Sequence, residues 1–250
     1  MTRRSSGTCS TEARRLAASV AIIVQARAGS TRLPEKVLKP FGGSTLLGYI
    51  VRRLARSGLP VWLATSDDPR DDRVAAAGAE AAASVFRGSE ADVLDRFARC
   101  IESMPAVPDV VVRMCADRAF ACPVLVQELL DVYEAVGRPD YLANNLVGSF
   151  PIGLDVELVR TTQLLAAADA DADAYEREHV TAYFYRRPDE FRLVNVPCAF
   201  GNFSSVRVVV DTEHDYRRLL DVERRLAKVA PDYEYRDVLT LATLEPELFP

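Results

Sequence analysis

The chain has 250 residues, 49% hydrophobic and 27% charged, with 31 Lys and Arg against 36 Asp and Glu for a formal net charge of −5. That is enough apolar material for one large α/β domain or two small ones, and an acidic balance without a basic stripe argues against a nucleic-acid partner. Five scattered cysteines (Cys9, Cys100, Cys115, Cys122 and Cys198) form no Cys-x-x-Cys pair, which argues against a disulfide framework or zinc site and for a reducing cytoplasm.

Arg3, Arg4, Arg14 and Arg15 precede the apolar run Leu16–Val24, loosely in the manner of a signal peptide. The run is too short to span a bilayer, and cleavage after it would destroy the loop that follows. Residues 1–18 are therefore expected to be a disordered extension, with residues 19–250 a single cytoplasmic domain without membrane attachment. Val20–Val24 is a continuous apolar, β-branched-rich strand of the kind buried on both faces. Ser44–Ser57 reads as an amphipathic helix ended by Gly58. Val61–Thr65 is a second strand running into Ser66-Asp67-Asp68, and Asp71–Ala77 a short helix. Asp67 and Asp68 read best as turn and capping residues.

Ser84–Phe86 is a brief strand, and Gly88–Asp92 leads into a helix to about Met104. Asp109–Met114 is another buried strand, closed by Cys115-Ala-Asp117, and Pro123–Val136 a helix with Pro in its first turn. Tyr141–Glu157 is expected as extended segments around a Pro151–Leu154 turn, the Ala/Asp-rich Ala166–Ala174 as a loop or helix end, and Tyr175–Arg187 as one helix. Phe191–Val196 and Val206–Val210 read as strands. Thr212 and Asp215 have capping-box spacing at the start of a helix to about Val229, and a last helix covers Asp237–Leu244. His214 reads as a surface residue of the former.

The alternation of strand and helix predicts a three-layer α/β/α fold with a mostly parallel central sheet. Ligands of such sheets bind beyond the carboxyl ends of the strands. The loops at 25–36, 65–68, 88–92 and 115–118 all leave such ends, so they should converge on one cleft. This brings Ser66 and Gly88 towards the run Gln25-Ala-Arg-Ala-Gly-Ser-Thr-Arg-Leu-Pro-Glu-Lys36. That run is chemically the most telling. It combines a small-residue turn, whose backbone N–H groups face an anion, with the cations Arg27, Arg32 and Lys36. It suits a triphosphate. A dinucleotide fingerprint is absent, since Gly29 stands alone, and no Gly-Lys-[Ser/Thr] Walker motif occurs.

Gln25–Leu38 resembles the opening signature of the sugar cytidylyltransferases, closest to the branch of the SpsF-like spore-coat-polysaccharide proteins and related to the synthetases of CMP-ulosonic and CMP-sialic acids. Phe86–Phe97, Phe150–Glu157, Arg177–Val180 and Val210–Asp215 are similar to later family motifs in the same order, so the resemblance runs from about residue 20 to 220. It implies a Rossmann-like, GT-A-like nucleotidyltransferase fold and CMP transfer from CTP to a sugar or sugar-acid acceptor, with Mg²⁺ as cofactor and a homodimeric state. By the same resemblance Arg27, Arg32 and Lys36 hold the β- and γ-phosphates, Gln25, Ala26 and the Ala28–Thr31 backbone (Ala28, Gly29, Ser30, Thr31) line the same grip, and Ser89 and Asp92 lie near the nucleoside.

The resemblance makes Asp117 and Asp211 the metal ligands. Each ends a β-branched run, so both are expected to point into one cleft, and oxygen ligands suit Mg²⁺. Arg177, Glu178 and His179 fall on the acceptor side, with His179 as base or donor; structural pairing within the helix is the competing reading for Glu178 and His179. Asp155 and Glu157 are either acceptor ligands or a structural carboxylate pair. One departure stands out. Family members follow the metal aspartate with Cys-Pro-Leu-Ile-Asp-Pro, whereas here Asp117 is followed by Arg118-Ala-Phe-Ala-Cys-Pro123. Arg118 is expected to meet an anionic group of the acceptor. A GT-A-type glycosyltransferase and a catalytically weak nucleotide-binding homologue are the competing readings, the first disfavoured by cations suited to a γ-phosphate.

Overall fold

The computed structural model describes residues 18–249; most of the expected N-terminal extension, and Cys9 with it, lies outside the described residues. The first half runs β1 (Val20–Gln25), a small hairpin of β2 (Pro40–Phe41) and β3 (Ser44–Thr45), α1 (Leu46–Ala55), β4 (Val61–Ser66), α2 (Asp72–Glu80), β5 (Ser84–Gly88), α3 (Val93–Glu102), β6 (Val110–Cys115) and α4 (Pro123–Ala135). The second half adds β7 (Tyr141–Ala143), β8 (Glu157–Arg160), α5 (Thr161–Asp169), α6 (Ala174–His179), α7 (Ala182–Tyr185), β9 (Leu193–Asn195), α8 (Glu213–Val229) and α9 (Tyr235–Leu244).

Seven strands form one sheet in the order β5-β4-β1-β6-β8-β7-β9. Six run parallel, and β8 alone is reversed between β6 and β7. Side chains alternate across a strand, and β1 shows the result. Ile22 and Val24 face a core shared with α1, α2, α4, α8 and α9, while Ala21 and Ile23 face a second core shared with α3, α5 and α7. This is the expected α/β/α sandwich. Thr45 caps α1 by accepting the Gly48 N–H, and Thr212 and Asp215 close the capping box of α8. Chain direction reverses its advance across the sheet between β1 and β6, so a crevice opens beyond the carboxyl ends of those two strands.

Ala166–Asp169 is the end of α5, one of the two forms expected of it, and the helix buries Leu164 and Ala167. The second half departs from expectation in three places. The helix expected over Tyr175–Arg187 is two helices, broken at Val180, whose φ is +56°. There the buried Thr181 hydroxyl bonds Glu157, which the continuous helix would not allow. Strand β9 is shorter than Phe191–Val196. Val206–Val210 does not join the sheet. It is an extended segment pinned between two turns: Ile152 and Val208 exchange bonds with Val206 and Ile152, and Val210 donates to Asp117 O at 3.0 Å.

Candidate active site

The loop after β1 is shaped by a carboxylate from another part of the chain. Asp71, buried before α2, accepts the Ala28 N–H at 2.6 Å and the Ser66 hydroxyl. Ala28 O in turn accepts from Ser30 and Glu35. The Ala28 and Ser30 N–H donors are therefore spent within the protein. Those of Gly29, Thr31 and Arg32 have no partner among the described residues and are the ones available to an anion. Ser66 sits beneath this loop, fully buried, and supports it through Asp71.

Lys36 follows the loop and enters the crevice. Its ammonium donates to Asp117 Oδ2 at 2.9 Å, Val210 O at 3.0 Å and Asp211 Oδ1 at 3.2 Å. The pinned 206–210 segment is what carries Asp211 to Asp117. Arg32 reaches Asp211 at 3.1 Å, and Arg207 binds the same carboxylate. Burial by itself pushes the Asp117 carboxyl up, but the Arg118 and Lys36 charges more than offset it and hold it below the ordinary range. Asp117 Oδ1 is buried without a hydrogen bond, the Arg118 Nε lying 3.7 Å away. An orphaned carboxylate oxygen beside a second carboxylate fits a hard divalent cation. Among the described residues no group of three or more His, Cys, Asp and Glu is placed to hold a metal ion by itself.

Two clefts meet here. The first, about 390 Å³, is lined by Gln25–Arg27, Gly29–Arg32, Lys36, Val93, Arg96, Ala116, Asp117, Glu178, His179 and Asp211. The second, about 680 Å³, adds Arg113, Arg118, Asn145, Ile152, Glu157, Thr181, Tyr185 and Arg207. Gln25, Arg32, Cys115, Asp117, His179 and Asp211 belong to both. At the floor of the second, Glu157 pairs with Arg113 and accepts from Tyr141 at 2.8 Å and Thr181 at 3.1 Å. Burial raises the Glu157 carboxyl, but Arg113 and these hydroxyls bring it below its ordinary value.

The remaining sequence candidates fall in two groups. Arg27 meets Glu178 at 3.5 Å, and His179 lies tilted against Tyr175, with ring centroids 4.2 Å apart. Both keep the acceptor-side motif at the cleft. By contrast Gly88, Ser89, Asp92, Asp155 and Arg177 do not line either cleft. Asp92 caps α3 and binds Arg177 at 2.9 Å, and Arg177 also holds the carbonyls of Ala168 and Ala170. Ser89 accepts the Asp92 N–H. Arg118 is drawn to Asp155 at 2.9 Å rather than left open for an acceptor anion, and burial keeps the Asp155 carboxyl raised even so. Phe120 fills the core against Phe41 and Tyr233, which accommodates the rebuilt turn while Asp117 stays in the cleft.

Sequence reading passed over Asp71, Arg96, Arg113 and Arg207. Three of them carried a signal: a lone arginine within an apolar run or on an apolar helix face. Arg113 interrupts Val110–Met114, Arg207 interrupts Val206–Val210, and Arg96 shares the face of Val93, Phe97 and Cys100.

Residues 21–237 match the profile of a family described as Cytidylyltransferase. The chain is 32% identical over 238 residues to the spore coat polysaccharide biosynthesis protein SpsF of Bacillus subtilis, covering 91% of this chain and 95% of that one. It is 30% identical over 171 residues to a 3-deoxy-manno-octulosonate cytidylyltransferase of Anaeromyxobacter dehalogenans, over 68% of this chain and 64% of that one. Among solved structures, a cytidylyltransferase from Leptospira borgpetersenii superposes with a TM-score of 0.85 at 27% identity, covering 93% of this chain and 97% of that chain. The chain belongs to the cytidylyltransferase family and is a nucleotidyltransferase.

Proposed function

We propose that this member of the cytidylyltransferase family transfers CMP from CTP to a hydroxyl of a sugar acid, releases pyrophosphate and uses Mg²⁺. The observation that carries the reading is the meeting of two clefts across Asp117 and Asp211. One offers cations and free N–H groups to a triphosphate. The other has room for an acceptor beside the same two carboxylates. The Anaeromyxobacter relative, named for a sugar-acid substrate, supports the acceptor class. No helix among the described residues is long and apolar enough to cross a membrane. A cytoplasmic homodimer, as the family resemblance implies, completes the proposal.

In the proposed reaction the acceptor oxygen attacks the α-phosphorus in line. The bond from that phosphorus to the bridging oxygen breaks, and pyrophosphate leaves. Arg27, Arg32 and Lys36, with the N–H groups of Gly29, Thr31 and Arg32, bind the β- and γ-phosphates where charge accumulates. Asp117 and Asp211 would hold the metal, which neutralises phosphate charge when bound. His179, on the wall common to both clefts, takes the hydroxyl proton. Positioning and electrostatics thus carry most of the acceleration.

Pyrophosphate release measured with each of four nucleoside triphosphates and Mg²⁺, against a panel of sugars and ulosonic acids, tests the reading. Release with CTP and at least one sugar acid is expected. CTP binding without release across the whole panel would overturn it.

A further inference from the structure

Helix α6 sets a tyrosine against the histidine proposed as the base. Tyr175 and His179 are four residues apart, and on a helix such residues are neighbours on one face. A helical side chain also leans back towards the N-terminus, which lays His179 over Tyr175. The two ring centroids are 4.2 Å apart, with the planes inclined at 49°. The backbone at His179 is fixed as well. Its carbonyl accepts the Thr181 N–H at 2.6 Å, and the buried Val180, at φ +56°, ends the helix there.

The imidazole has no polar hold. Among the described residues neither of its nitrogens makes a hydrogen bond and no carboxylate pairs with it. A histidine base is commonly oriented by an acceptor on its second nitrogen. Here the acidic neighbours are used elsewhere: Glu178 on Arg27, and Glu176 on Arg186 and Arg187. Tyr175 is itself held. Arg186, which also pairs with Asp173, lies 5.7 Å from the Tyr175 ring centroid, and the Tyr185 hydroxyl lies 3.5 Å from that of Tyr175. That hydroxyl distance is too long for a strong bond, so what Tyr175 offers His179 is its ring. Tyr175 lines neither cleft, whereas His179 lines both.

We propose that Tyr175 is the positioning residue of the base: its ring holds the His179 imidazole in one rotamer on the wall between the clefts. The inference rests on the reading of His179 as the base, given above. A side chain without such a contact samples several staggered rotamers, and time spent in the others is lost to the reaction. The effect therefore falls on kcat and not on the binding of either substrate.

The chain has two histidines, so NMR follows the ring resonances of His179 and the exposed His214 separately. Tyr175 is half exposed, and its replacement leaves the core intact. In Tyr175→Leu the His179 resonances are expected to lose the ring-current shift of the wild type, while those of His214 stay; Tyr175→Phe, which keeps the ring, retains the shift. Turnover is expected to follow: Tyr175→Leu lowers kcat about 2- to 12-fold with KM for CTP and acceptor nearly unchanged, and Tyr175→Phe restores it. In a His179→Ala background Tyr175→Leu costs nothing more. His179 resonances that stay put in Tyr175→Leu, a loss carried by KM, or a loss that persists undiminished without His179 would each overturn the proposal. Full turnover by His179→Ala would instead sink the reading of His179 as the base, and the resonances alone then decide whether Tyr175 holds the ring.

Discussion

Replacing Lys36 by Met asks what its ammonium does before substrate arrives. It spends its donors on two carboxylates and a carbonyl, at 2.9, 3.2 and 3.0 Å, and the two carboxylates are those proposed to hold a divalent cation. A metal entering the ligand-free cleft must displace it. Each charge-assisted hydrogen bond is worth about 1.5–3 kcal/mol net, so the two bonds to carboxylates sum to about 3–6 kcal/mol. The lysine and aspartate side chains are 12–23% exposed, and screening in an open cleft roughly halves that sum. The remainder, about 1.5–3 kcal/mol, corresponds to about 10- to 150-fold in metal affinity.

Lys36→Met is therefore expected to bind Mn²⁺ without nucleotide at least tenfold more tightly than wild type, read by electron paramagnetic resonance of the free ion. The same variant is expected to lose about 10²–10³ in kcat, because a cation aimed at the leaving phosphates is gone. Opposite signs for metal binding and turnover are the signature. Unchanged or weaker Mn²⁺ binding in Lys36→Met would refute the idea that the ammonium stands in for the metal.

Asp71→Ala strands the Ala28 N–H and the Ser66 hydroxyl, and is expected to cost about 2 kcal/mol by urea denaturation and to weaken CTP binding by calorimetry. Gly153 has φ +111°, and a Cβ there would lie 2.8 Å from Val208 C and O, so Gly153→Ala is expected to cost about 3 kcal/mol; a loss under about 1 kcal/mol would show that the 206–210 segment yields freely. Glu157→Gln leaves Arg113 buried without its counter-charge and is expected to cost about 3 kcal/mol at neutral pH. Because the folded Glu157 carboxyl lies below its ordinary 4.5, its stabilisation is present above that value and lost as pH falls through the lowered one. The stability gap between wild type and Glu157→Gln should then close on acidification, as followed by denaturation at a series of pH values.

How much of this was legible in the sequence follows from the range of the forces involved. Strand β1 and its loop could be read because a continuous apolar strand, a small-residue turn and clustered cations are local signals. Asp117 and Asp211 were singled out by the family resemblance, with the strand-like runs before them in agreement, yet the reason they meet was not legible. Val206–Val210 has strand composition, but its hydrogen bonds go to Ile152 and Asp117 rather than to the sheet, a long-range pairing that no periodicity encodes. The break at Val180 has the same origin, since Thr181 answers to Glu157 on β8. Asp92 and Arg177 were placed among the ligands by the family resemblance, but their charges are used on each other and on helix ends. A motif identifies side chains; only their partners decide which charges remain for a ligand.

That distinction bears on how a chain of net charge −5 could hold a polyanion. The clefts gather cations without carrying much net charge, because Asp211 alone engages Lys36, Arg32 and Arg207. Asp211 keeps these cations close together and prevents them from repelling one another while the cleft is without substrate. An arriving triphosphate can take over the same cations one by one. Each transfer swaps a carboxylate for a phosphate oxygen at the cation, so the exchange costs little desolvation beyond what the ion pair already carried. It also frees Asp211 beside Asp117, the pair proposed above to hold a metal.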